Sequence, residues 1–265
     1  MKKLLSLFLI IILSAGFFPG CKKDKGDPPT MPPLGSMIID FSNFVNLKKS
    51  SNLLSDQKGT ENSNWEFASA VAGFWNSLIT ITLAVPVASF SRAIDQDPVY
   101  LDNKTWQWKY NVSLIGVTYT ARLTGQIGTN NVIWKMYVSS NSFTEFVWFE
   151  GTSKLDGTGG QWILNESSSS QTAFLQIDWT KTGSSVGSIK YEYVKADSFN
   201  GSNVQYTLTS STSASYDVHY YNGVKFSDVD IEWNPTSHSG RVRSSDYLLG
   251  DWYCWNDQKI NVNCE

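Results

Sequence analysis

The sequence has few of the side chains that carry chemistry. It contains only two histidines, His219 and His238, and three cysteines, and 17% of its 265 residues are charged. Neither histidine belongs to a Gly-x-Ser-x-Gly, His-Glu-x-x-His or Cys–His arrangement, so no motif of a hydrolase or metalloprotease is found. The sequence therefore predicts a protein that is not an enzyme, and it indicates neither a cofactor nor a metal.

The chain also lacks an excess of positive charge. It has 21 basic and 24 acidic residues, which gives a formal net charge of −3. Proteins that bind nucleic acid carry a basic patch or stripe that neutralises phosphates. Because no such stripe is present, nucleic acid is not an expected partner.

Charge is missing altogether from residues 67–91, a stretch of 25 residues. Its apolar residues recur at spacings of three and four, which predicts a helix. Pro86 is expected to break or kink this helix into two pieces that end near Ile94. A stretch of this kind fits either a membrane-spanning helix or a helix buried against a sheet. Its many serines and threonines argue against a membrane span, and a helix that is apolar most of the way round is more often buried against a sheet.

The N-terminus has the organisation of a secretion signal. Lys2 and Lys3 form a basic start, residues 4–18 form an apolar run of 15, and Gly20 stands directly before Cys21. A membrane-spanning helix needs roughly 20 apolar residues, so this run is expected to be removed. The arrangement resembles the bacterial lipoprotein signal, whose cleavage leaves an acylated cysteine at the N-terminus.

This resemblance implies attachment to the bacterial outer membrane through a lipid on Cys21, on its periplasmic or cell-surface face. The signal peptide would be residues 1–20. Residues 21–36 are rich in proline, glycine and lysine, which predicts a tether. The remaining residues, 37–265, are enough for a single β-rich domain.

Two cysteines remain after Cys21, namely Cys254 and Cys264. In an exported protein an even pair of cysteines predicts a disulfide. The alternative is a metal site, but zinc prefers four closely spaced nitrogen and sulfur ligands, and both histidines are distant in sequence. The disulfide is therefore the favoured interpretation.

From Thr105 onward the apolar residues alternate with polar ones, which is typical of half-buried strands. A further strand is predicted at the start of the domain, at Met37–Phe41. Asn222-Gly223 is a strong two-residue hairpin signal. Ten or more short strands with short connections predict antiparallel neighbours. We expect a predominantly β (α+β) fold, a large curved antiparallel β-meander or half-barrel packed around one kinked apolar helix. Its layout looks like that of half-barrel lipoproteins that carry lipids or lipoproteins across the envelope.

The eleven tryptophans have two interpretations. They fill the space between sheet and helix, or they line a surface for a ligand. If a ligand-binding surface exists, the alternation of the strands places these aromatic residues on it: Trp106, Trp108, Tyr110, Trp134 and Trp148.

Three functions remain open on this basis. The favoured one is an outer-membrane lipoprotein that binds a lipid or another apolar ligand between sheet and helix, which requires an apolar cavity of roughly 300 Å³ or more. The first alternative is a non-enzymatic structural or interaction protein of an envelope complex. The second is a surface module that binds glycans through exposed tryptophans.

Overall fold

The protein is described by a computed structural model that covers residues 25–44, 60–114 and 116–264. These residues form one α-helix and a single curved, open sheet of fourteen strands. Strands that follow each other in sequence lie side by side, and every pair is antiparallel. The predicted β-meander with one helix is confirmed.

The helix α1 spans Ser63–Ile94, and a short 3-10 turn precedes it at Leu34–Met37. The strands are β1 (Val99–Tyr100), β2 (Thr105–Leu114), β3 (Val117–Ile127), β4 (Asn131–Ser140), β5 (Phe143–Lys154), β6 (Gly159–Ser167), β7 (Ser170–Thr182), β8 (Ser185–Tyr193), β9 (Asn203–Ser210), β10 (Ser213–Tyr221), β11 (Phe226–Trp233), β12 (Gly240–Ser244), β13 (Tyr253–Trp255) and β14 (Asn261–Val262).

The connections between the strands form two opposite rims of the sheet, rim A and rim B. Rim A consists of the connections that follow β3, β5, β7, β9 and β11. Rim B consists of the connections that follow β2, β4, β6, β8, β10 and β12. A strand of nine residues such as β10 separates the rims by about 30 Å.

Tryptophans on the concave face pack over glycines of neighbouring strands. A glycine has no Cβ, so the ring of the paired tryptophan can lie directly on its backbone. In four such pairs a Cβ added to the glycine would come within 3.0 Å of the ring: Gly125–Trp134, Gly151–Trp162, Gly160–Trp179 and Gly240–Trp255.

Helix α1 contacts strands near both edges of the open sheet, β12–β14 through its first half and β2–β3 through its second. Near its start, Asn64 Nδ2 donates to the Cys254 carbonyl at 2.8 Å. Near its end, the Tyr110 hydroxyl donates to the Ser89 carbonyl at 2.6 Å. The helix continues through Pro86, so the prediction of two helical pieces is wrong. Pro86 is buried, and packing there compensates for the hydrogen bond that proline removes.

The predicted strand at Met37–Phe41 is also wrong. These residues follow the 3-10 turn as irregular chain and join no ladder among the described strands. Tyrosine hydroxyls of the sheet satisfy their backbone instead. Tyr191 donates to the Met37 carbonyl at 2.6 Å, and Tyr216 donates to the Asp40 carbonyl. The apolar alternation that resembles a strand here reflects insertion into the concave face.

The packed part of the N-terminal segment begins before the predicted end of the tether. Pro29, Pro32 and Ser36 are buried, and the Ser36 hydroxyl accepts a hydrogen bond of 3.1 Å from Trp162 Nε1. Met37, Ile39, Phe41 and Phe44, further along the same segment, belong to the core of the domain. We call residues 29–44 the inserted segment. It fills space in the concave face that the helix leaves open.

The predicted disulfide is confirmed. Cys254 of β13 and Cys264 are bonded, with their Cα atoms 5.3 Å apart. The bridge holds the last residues of the chain against the edge of the sheet. Cys21, the predicted acylation site, lies outside the described residues.

Candidate functional site

The aromatic residues that are candidate ligand contacts from the sequence lie mainly in the core. Trp106, Trp108, Tyr110 and Trp134 are buried on the concave face, and Trp148 is partly buried against that core. Trp134 Nε1 donates to the Ser153 hydroxyl at 2.9 Å. Such contacts are expected if the tryptophans fill the space between sheet and helix, which is the other interpretation of these residues. A ligand would reach the four buried side chains only if the core opened.

Burial also explains why the hydroxyl of Tyr110 has a raised pKa. Removal from water raises the pKa of its hydroxyl, because the phenolate would lose its hydration. The hydroxyl is engaged with the carbonyl of Ser89 in α1. Tyr110 therefore links the helix to the sheet as a neutral donor.

An apolar groove lies where α1 passes rim B. It has a volume of about 330 Å³ and opens to solvent. We call it the rim B groove. Its lining comes from one face of the helix, the connection between β8 and β9, and the end of the β10–β11 hairpin: Ala70, Val71, Phe74, Trp75, Phe199, Tyr220, Tyr221, Asn222 and Gly223.

Local sequence explains how these side chains meet. Val71, Phe74 and Trp75 are three and four residues apart, so they share one face of α1. Phe199 packs edge-on against Tyr221, with ring centroids 5.8 Å apart. This contact brings the connection between β8 and β9 to the hairpin.

The hairpin between β10 and β11 is present, but its connection is longer than the sequence predicted. Four residues, 222–225, join the strands instead of two. Asn222 Oδ1 accepts hydrogen bonds from the amides of Val224 and Lys225, at 3.0 and 3.1 Å. Gly223 has φ +97°, a conformation that glycine adopts without strain. This turn fixes the outer wall of the groove.

Among the residues that the structure describes, no charged side chain lines the rim B groove. The one side-chain amide in this described lining, on Asn222, is already bonded to the Ser227 hydroxyl at 3.2 Å. An apolar lining with few free polar groups is suited to an aliphatic chain or a flat apolar molecule. The volume is near the lower end of the roughly 300–1,000 Å³ typical of ligand pockets.

The apolar surface extends from the groove along α1. Phe74, Leu78 and Ile81 are exposed and lie four and three residues apart, so they form a stripe on one side of the helix. By length and composition alone α1 could cross a membrane, yet 33% of its most apolar stretch is buried in the domain. Its two ends are bonded to the sheet. The helix is thus part of the domain, with one apolar side uncovered.

A second, polar cleft of about 590 Å³ lies on the convex face of β9–β12. Two of its carboxylates have side-chain partners across the strands. Asp230 accepts two hydrogen bonds from Arg243, at 2.6 and 2.9 Å, and Asp228 lies 2.6 Å from His219 Nδ1. Among the described residues Asp217 has no arginine partner, and it faces Asp230 across the strands. The cleft is therefore lined by polar cross-strand pairs, of which Arg243 with Asp230 is an ion pair.

The ionised carboxyl of Asp217 is expected to lower the stability of the folded protein at neutral pH. Partial burial, followed by the charge of Asp230, raises the pKa of the Asp217 carboxyl. A raised pKa means that the ionised form is disfavoured in the folded state, so it lowers stability at every pH above that pKa. We expect Asp217→Asn to raise the melting temperature at pH 7. The gain should disappear as the pH falls to about 3.9, where the unfolded carboxyl is also protonated.

Asp156 provides a control of opposite sign. Hydrogen bonds from Thr158, through its hydroxyl at 2.7 Å and its amide at 3.0 Å, lower the pKa of this carboxyl. Asp156→Asn should therefore lower the melting temperature at pH 7 and lose this effect in acid. If both variants changed the melting temperature by the same amount and in the same direction, the opposite pKa shifts of Asp217 and Asp156 would be contradicted.

No group of three or more histidine, cysteine, aspartate or glutamate side chains suitable for a metal occurs within residues 25–44, 60–114 and 116–264. No family model, curated protein or solved structure matches this chain. The rim B groove and the stripe beside it are thus the features from which a function can be argued.

Proposed function

We propose that the chain is an outer-membrane lipoprotein that binds an apolar ligand, such as a lipid acyl chain, in the rim B groove. The observation that carries this proposal is an uncharged groove of about 330 Å³ between an apolar helix and an aromatic hairpin. The sequence around Cys21 supports the lipid anchor, because it resembles the bacterial lipoprotein signal.

The shape of the groove favours a single chain over a bulky lipid. It opens to solvent and is walled by the rings of Phe74, Trp75 and Tyr221. One aliphatic chain could lie between these rings while its polar end stays in water. Burial of apolar surface, at about 25 cal/mol per Å², would supply the affinity.

A role as an interaction protein of an envelope complex is the second candidate. The exposed stripe of Phe74, Leu78 and Ile81 favours it, because soluble proteins seldom leave contiguous apolar surface uncovered without a partner. Glycan binding has less support. Nine of the eleven tryptophans are buried, and Arg241 and Arg243 both lie over the ring of Trp252.

Substitution of Phe74 tests the ligand proposal. Phe74 is 46% exposed and lines the groove, so Phe74→Asp should leave the fold intact. The change removes a ring from the ligand and introduces a charge. We expect the affinity for a fluorescent fatty acid to fall about 10- to 100-fold, which corresponds to roughly 1.5–3 kcal/mol.

Ile94→Asp is the matched control. Ile94 lies on the same helix at 44% exposure but outside the groove. Its variant should bind the probe as the wild type does. The ligand proposal is wrong if the wild type does not bind the probe, if Phe74→Asp binds normally, or if both variants lose affinity equally. Native mass spectrometry of the mature chain would show whether a lipid is bound at one molecule per protein.

A further inference from the structure

The first described residues of the chain lie at rim A. Lys25 Nζ is 5.8 Å from the ring of Tyr100, which pairs with Trp106 at the start of β2. Thr30 contacts the connection between β5 and β6, where a Cβ on Gly157 would lie 3.2 Å from its methyl group. Lys25, the first described residue, therefore lies at rim A.

The rim B groove lies at the opposite end of the strands. Its outer wall is the connection between β10 and β11, and Phe199 comes from the connection between β8 and β9. About 30 Å of strand separates these connections from rim A. The groove and Lys25 are thus at different ends of the described domain.

The position of Lys25 limits how far an anchor on Cys21 can lie from rim A. This argument rests on the proposed lipidation of Cys21. Cys21 precedes Lys25 by four residues, which span at most about 14 Å when fully extended. That is roughly half the distance between the rims. An anchor of this length holds rim A at the membrane and leaves rim B facing the aqueous side.

The described connections of rim B also lack the free positive charge that would attract an anionic bilayer. Its connections contain two lysines within the described residues, and both are paired, Lys195 with Glu166 at 2.6 Å and Lys225 with Asp246 at 3.4 Å. Asp197 and Asp251 add negative charge to the same connections. Surfaces that bind anionic lipids carry free lysine and arginine.

Exposed apolar side chains surround the groove. Val224 is 85% exposed at the tip of the β10–β11 hairpin, and Ile81 is 80% exposed on the stripe of α1. Phe74, Leu78 and Phe199 are exposed between or beside them. We define these five residues as the rim B patch. A patch of this kind on a water-facing end needs a partner that covers it.

We infer that the rim B patch docks a partner protein with an apolar face, one that reaches the groove from the aqueous side and not from the anchoring bilayer. The inference deepens the proposed function, because the docked partner would be the donor or acceptor of the apolar ligand.

The orientation is tested first, with the acylated mature chain in vesicles that contain a lipid-attached energy acceptor. Single donor dyes are placed at Val224→Cys, on rim B, and at Leu155→Cys, on rim A and 45% exposed. Energy transfer should be clearly stronger from position 155. Equal transfer, or stronger transfer from position 224, would overturn the inference by placing rim B at the bilayer.

The partner is tested next, with a photoreactive amino acid at Ile81 or Val224 in the native envelope. We expect one protein adduct of the same mass from both positions and none from position 155. That protein, once purified, should bind Ile81→Asp at least tenfold more weakly than it binds the wild type or Leu155→Asp. Adducts with lipid or with a second copy of this chain, or no adduct, would overturn the docking proposal.

Fatty-acid binding by the same preparations separates the two proposals. If the probe binds normally while no partner docks, the ligand proposal stands and the docking proposal fails. If a partner docks while the probe does not bind, the groove is part of a protein interface instead of a ligand site. Ile81 does not line the groove, so its variant affects docking alone.

Discussion

A chain that begins at Val45 is expected not to fold, whereas one that begins at Lys25 should fold like the mature protein. The difference is the inserted segment, residues 29–44. Met37, Ile39, Phe41 and Phe44 from this segment are all at least 96% buried. At about 1.5–3 kcal/mol for each buried side chain, their loss approaches the roughly 5–15 kcal/mol that keeps a domain folded.

Phe44→Ala is the point-mutation form of this test. Phe44 packs against Tyr216 and edge-on against Trp233, with ring centroids 5.7 and 5.1 Å apart. We expect a loss of about 3–5 kcal/mol in the free energy of unfolding, measured by urea titration. Ile38→Ala, an exposed change in the same segment, should cost less than about 1 kcal/mol. A cooperative transition for the chain that begins at Val45 would show that the segment is dispensable.

Gly151→Ala should be among the most damaging single-methyl changes in the sheet. An added Cβ would overlap the backbone oxygen of Gln161 and lie 2.7 Å from Trp162 Cε3. The obstacle is a paired strand and a fully buried ring, neither of which can move without breaking other contacts. We expect a loss of roughly 3 kcal/mol or more in the free energy of unfolding.

Gly116→Ala separates steric overlap from backbone strain. A Cβ on Gly116 meets no atom within 4 Å, but the residue has φ +74°. Its variant should lose only about 1 kcal/mol, the cost of placing alanine in that conformation. Thermal unfolding of both variants under the same conditions compares the two effects. Equal losses would mean that the glycine–tryptophan contact contributes nothing of its own.

The sequence predicts the sheet because its signal is local. In β2, Trp106, Trp108 and Tyr110 alternate with polar residues and are buried on one face as expected. Each strand pairs only with its neighbours in the chain, so local periodicity and turns are sufficient to give the topology. The disulfide is predictable for a different reason, because Cys254 and Cys264 form an even pair once Cys21 is set aside.

The inserted segment could not be predicted by the same means. Its prolines and glycines are typical of a tether, and Met37–Phe41 has the alternation of a strand. What fixes its position is contact with residues far along the chain, such as Tyr191 and Tyr216. No local pattern contains that information.

The groove is not predictable for a different reason. Strand alternation makes Trp106 and Trp134 candidate ligand contacts, yet a large aromatic side chain is also a good filler of a wide core. The residues that do line the groove, such as Phe74 and Tyr221, come from separate elements. One feature of the sequence does point to the groove. Helix α1 is apolar on all sides, and a sheet can cover only part of a helix, so Phe74, Leu78 and Ile81 could have been expected at the surface.

The position of the inserted segment also constrains the order in which the protein folds. The segment and the start of α1 are made early, but they contact the last strands, as Phe44 does with Trp233 and Asn64 with Cys254. Neighbouring strands of the meander can pair as they emerge, because their contacts are close in sequence. The early segments have to wait about 190 residues for their partners. The packing of these early segments is therefore completed only after the strands β11 and β13 have been made.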